Sequence, residues 1–84
     1  MSDRPDWWSW EIELSDHLVL RMAQRDFNEA DLRTMLEDAN SVSPDAIPGR
    51  WFISTTFRGS PWAVILEPDL AERIIVAITA FEIS

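Results

Sequence analysis

Apolar and polar positions alternate over residues 8–14, where Trp8, Trp10, Ile12 and Leu14 interleave with Ser9, Glu11 and Glu13. A period of two predicts a half-buried strand. Trp7 stands outside the alternation, at the strand entrance, and is assigned to the surface. The period then changes. Leu18, Val19, Met22 and Ala23 recur at spacings of three and four, with Leu20 beside them. This predicts a first helix over 16–26, opened by Ser15 or Asp16 as its cap. Phe27 and Asn28 interrupt it. Asn28 caps a second helix over 29–39, with Leu32, Met35, Leu36 and Ala39 as its apolar stripe. Glu29 and Asp31 fall in its first turn, where carboxylates complement the helix dipole. Only two or three residues join the helices, so they form an antiparallel or steeply crossed hairpin.

Residues 40–49 hold Pro44, Pro48, Ser41, Ser43 and Asp45 and read as a loop. Residues 50–57 are rich in β-branched and aromatic side chains and read as a strand. Arg58-Gly59-Ser60-Pro61 is a turn, 62–66 the next strand, and 73–81 the last. Short turns between three strands make an antiparallel meander. The expected order is β-α-α-β-β-β, an α+β fold with a two-helix hairpin packed on an antiparallel sheet of four strands. The last strand is apolar on both faces, with Ile74, Val76, Ile78 and Ala80 on one side and Ile75, Ala77, Phe81 and Ile83 on the other. Two helices of about eleven residues leave one sheet face uncovered, to be met by the Trp cluster, a second copy or a partner.

At 84 residues the chain is one domain, read as a disordered tail over 1–6 and a folded unit over 7–84. The acidic, polar N-terminus is unlike a signal peptide. The longest apolar run, 74–78, is far short of a membrane span, so no membrane association and a cytoplasmic location are expected. One His and no Cys leave only carboxylates as metal ligands, and no calcium-loop pattern is present, so no metal and no cofactor are expected. The formal net charge is −8, which opposes a protein that coats nucleic acid. All seven basic side chains are Arg, and five of them lie between residues 17 and 60. That concentration leaves room for a local basic cleft.

His17, Arg21 and Arg25 are spaced by four, which puts them on one ridge of the first helix. Guanidinium groups bind phosphate in bidentate fashion, and an imidazole exchanges protons near neutral pH. The same spacing also describes an ordinary solvated face, with Asp16, Asp26 and Glu29 near enough to pair with the cations. Arg50, Ser54 and Thr56 share one face of the second strand with Phe52, a cleft lining or a half-solvated sheet face. Arg58 in the following turn is a further phosphate-binding candidate. Trp7, Trp8 and Trp10 crowd the first strand, as interface anchors or as core volume.

The stretch from His17 through Arg21, Met22 and Arg25 to Phe27, Asn28 and Asp31 resembles the bacterial domain-of-unknown-function family 4258, whose members read H-A-x-x-R-M-x-x-R-G-I-[ST]-x-x-[DE]. Here Leu18 replaces the small residue, Asp26 the Gly, Phe27 the Ile and Asn28 the Ser/Thr. Gly49-Arg50, the strand from Pro61 to Ile65, and Ile78-Thr79 fit later blocks, so the likeness covers about 12–82. That family is grouped with RelE- and BrnT-like small toxins. The resemblance implies a RelE-like fold and a metal-independent ribonuclease or translation inhibitor of a toxin-antitoxin pair, or a relative that has lost activity. By position it makes His17 the acid/base, Arg21 and Arg25 the phosphate clamp, and Thr79 the hydroxyl of the last strand. It implies RNA as substrate and an antitoxin as partner. The chain departs from active RelE-type sites in having no Tyr and no Lys. The alternative is a non-catalytic interaction module on the same fold, a homodimer or an acidic inhibitor that shields a basic nuclease.

Overall fold

The computed structural model describes residues 4–83. Asp6–Ser9 form one turn of 3-10 helix, followed by β1 (Glu11–Leu14), α1 (Asp16–Arg25) and α2 (Glu29–Glu37). Then come β2 (Ser41–Pro44), β3 (Trp51–Phe57), β4 (Ser60–Asp69) and β5 (Ile74–Glu82). The fold is α+β, with both helices packed on a mixed five-stranded sheet of order β1-β5-β4-β3-β2. β3, β4 and β5 form the expected meander, and β2 adds to it antiparallel. β1 runs parallel to β5, so the sheet is not wholly antiparallel and β5 is an interior strand.

Four local readings are corrected. The first strand begins at Glu11, not Trp8, because the chain turns upstream: the Trp8 and Trp10 amides donate to the Pro5 and Trp7 carbonyls. That turn carries Trp7 into the core, 8% exposed against the ring of Trp51, so it is not a surface residue. Residues 41–44, read as loop, form β2. Its backbone pairs with β3, and as an edge strand it can carry Ser and Pro. Val19 lies on the outer side of α1 with Leu20, both more than half exposed, while Leu18 and Met22 face the sheet. Of the residues read as tail, 1–3 lie outside the described residues. Arg4 donates to the Ala39 carbonyl and stacks on Trp8, and Pro5 and Asp6 enter the 3-10 turn.

One face of the sheet meets the helices. Ile53 and Phe57 of β3, Trp62, Val64 and Leu66 of β4, and Ile75, Ala77 and Ala80 of β5 join Leu18, Met22, Leu32, Met35 and Leu36 in a single core. Phe27, between the helices, stacks edge-on against Phe57 and Trp62 and anchors the helical connection to one end of the sheet. Among the described residues no helix lies over the other face. Ala63 and Ile65 are buried there, flanked in register by Phe52, Thr79 and Phe81, which are half-buried.

Candidate functional site

The residues that start α1 are placed by β5. A β-bulge lies opposite Ile65 and Leu66, where Thr79 pairs with Ile65 and Ala77 with Leu66, leaving Ile78 as the extra residue. The Ser15 hydroxyl donates to the Ile78 carbonyl at 2.7 Å and the Ser15 amide to the Ala77 carbonyl at 3.1 Å. The same hydroxyl oxygen accepts from the Leu18 amide, so one side chain both caps α1 and ties it to the sheet. His17 follows two residues later and is exposed.

Along α1, Arg21 is half-buried and Arg25 exposed. The rise from His17 to Arg25 is about 12 Å, enough to span two consecutive phosphates of an extended strand. Ion pairs among the described residues engage Arg33 with Glu29, Arg50 with Glu67 and Arg58 with Asp31, and none engages Arg21 or Arg25. The Arg21 Nε is enclosed without a hydrogen-bond acceptor. The Thr79 hydroxyl, next to the Ile78 carbonyl that holds Ser15, is likewise enclosed and unpartnered. In register Thr79 pairs with Ile65 on the helix-free face of the sheet, so its side chain does not join the ridge on α1, and no hydrogen bond among the described residues links it to His17.

The other proposed phosphate ligands do not join this ridge. Arg50 and Arg58 flank β3 at opposite ends, roughly 26 Å apart along an extended strand. Arg50 donates through Nε to Glu67 at 3.0 Å. Arg58 faces the Asp31 carboxylate at 3.7 Å and lies over the Phe57 ring. Each thus meets a carboxylate of the chain itself. The Trp set divides too: Trp7 is core, and Trp8 and Trp10 are half-buried against that core. Among the described residues no group of three His, Asp or Glu is placed to hold a metal, and no helix is long and apolar enough to cross a membrane.

Two features were not foreseen. Arg4 links the N-terminal segment to Ala39 at the end of α2 across 35 positions, and a lone Arg near a terminus carries no signal of such reach. Thr55 is 1% exposed and donates to the Met35 carbonyl at 2.6 Å, closing the last turn of α2. Its inward register was legible in the alternation of 51–57, but its acceptor was not. In comparisons with known proteins, no family model, no curated protein and no solved structure matches the chain.

Proposed function

We propose that the chain is a RelE-like toxin relative that contacts RNA through the ridge of α1 that carries His17, Arg21 and Arg25. The observation that carries this reading is electrostatic: in a protein of net charge −8, Arg21 and Arg25 take part in none of the ion pairs among the described residues and stand beside His17 on one helix. Local geometry supports the family likeness. Asp26, where the family pattern has Gly, sits at φ 56°, in the left-handed region that favours Gly. Asn28 and Asp31, where the pattern has [ST]-x-x-[DE], form a reciprocal capping box.

In this reading Arg21 and Arg25 hold the scissile phosphate and the charge that accumulates on it. The 2′-oxygen of the substrate attacks phosphorus, the bond to the 5′-oxygen breaks, and the imidazolium of His17 gives its proton to that leaving oxygen. The 2′-hydroxyl proton passes to solvent, leaving a cyclic phosphate. Arg50 and Arg58 have no part in it. A neighbouring antitoxin that covers the α1 ridge is the expected partner, and the cytoplasm the expected compartment. Expression in bacteria tests the reading: growth arrest and RNA cleavage by the purified chain, both abolished by His17→Ala, are expected. Unimpaired growth with no cleavage contradicts it.

A second reading rests on a different observation, the helix-free sheet face with Phe52, Ile65, Val76 and Phe81. A non-catalytic interaction module would use that face to dimerise or to hold a partner. Light scattering showing a dimer that Phe81→Glu dissociates favours it, and a strict monomer rules out the homodimer.

A further inference from the structure

The two helices leave a gap on their own side of the sheet. α1 lies chiefly against β5 and α2 against β3. Between α2 and the N-terminal 3-10 turn a cavity of about 160 Å³ opens, lined by Trp8, Ile12, Leu36, Leu66 and Ile75, with Arg33 and Glu37 at its rim. Ile12 and Ile75 are paired in register and give the floor, where Ile75 and Leu66 are almost fully buried. The volume is close to that of an apolar protein cavity of about 150 Å³ that accepts benzene.

The rim has a sign. Arg33 is committed to Glu29, donating from Nε and from a terminal nitrogen to one carboxylate oxygen at 3.3 and 3.1 Å. Glu37, one turn further on, has no hydrogen bond or ion pair among the described residues, so its carboxylate is open to a cation at the mouth, with Arg4 on the Trp8 side as the other charge. Trp8 adds an aromatic surface, and its ring already takes a cation: the Arg4 guanidinium carbon is 5.1 Å from the ring centre. Arg4 also bonds the Ala39 carbonyl, which holds the indole in place as the cavity wall. The charge of the whole chain draws cations toward it.

We propose that this cavity is a binding site for a single aromatic ring bearing a positive charge, with the ring on Ile12, Leu66 and Ile75 beside Trp8 and the cation on Glu37. Two sources present that chemistry: a free arylalkylamine, and an aromatic side chain next to a basic residue in a peptide. The site is separate from the α1 ridge and stands whether or not that ridge meets RNA.

Amide-resolved NMR on the full chain tests it. Phenethylamine is expected to shift the Trp8 indole N–H and the Leu36 and Glu37 amides saturably, with a Kd on the order of 1 mM for so small a ligand. The carboxylate of the same carbon skeleton, 3-phenylpropionate, should bind about tenfold more weakly, and Glu37→Gln should weaken the amine roughly fivefold, since the ammonium then meets a neutral amide oxygen in place of a carboxylate. Ile12→Phe, which fills the cavity, should abolish the shifts while the Thr55 amide keeps its position. A blocked peptide carrying Phe beside Lys distinguishes the sources: tighter binding than the amine assigns a peptide, weaker binding a free amine, and either supports the site. No localised shift with either ligand at about 20 mM, equal binding of amine and carboxylate, or indifference to Glu37→Gln overturns it.

Discussion

A few single side chains decide more than their size suggests. Thr55 is the one polar side chain in the described core, and it satisfies a carbonyl in the last turn of α2 that has no helical partner. Thr55→Val keeps the shape and removes the donor, and is expected to destabilise the fold by about 1–2 kcal/mol. A lower urea midpoint at unchanged slope checks this. Asp26 works in the opposite direction. It holds a left-handed conformation that Gly adopts freely, and it places a negative charge at the C-terminal end of α1. Asp26→Gly should therefore stabilise by about 0.5–1 kcal/mol, read as a rise of roughly 4 °C in Tm. The left-handed turn was not visible in the sequence alone, since Asp is common in ordinary turns. Trp7 was misplaced for a related reason: one aromatic residue outside an alternation says nothing of whether the chain bends to bury it.

At the scale of elements, the legible parts are those with a strong local period. Leu18 and Met22 of α1, Leu32, Met35 and Leu36 of α2, and the β3–β4–β5 meander all follow from spacing and short turns. Arg58 and Gly59 both take positive φ, the two-residue hairpin that joins β3 to β4. What escaped is pairing across distance. The parallel match of β1 to β5 joins residues more than sixty positions apart, and nothing local encodes it. The apolar character of β5 on both faces recorded its interior position, but the same pattern fits an edge awaiting a partner. β2 escaped because its sequence, Ser-Val-Ser-Pro, sets only Val42 against the core. The contact that turns β1 into α1 is Ser15, and Ser15→Ala removes a helix cap and a donor to Ile78 together. We expect a loss of about 1–2 kcal/mol, with hydrogen exchange of the α1 amides accelerating more than that of β3 and β4.

For the whole molecule, the candidate site was legible in part. The four-residue spacing of His17, Arg21 and Arg25 defined the ridge, whereas the distribution of ion pairs, which separates Arg50 and Arg58 from it, required the fold. The net charge of −8 sets a background that repels RNA, so the proposed binding through the ridge is expected to be local, weak and sensitive to salt. Each phosphate contact with single-stranded RNA contributes about 0.7 to the slope of log K against log salt. The most direct test of the central claim is that slope, measured by fluorescence anisotropy with a short single-stranded RNA. The ridge account predicts binding by the wild-type chain at low salt, a slope lowered by about 1.4 in the Arg21→Ala/Arg25→Ala double variant, and little change in Arg50→Ala. No binding by the wild type, or an identical slope in the double variant, would contradict it.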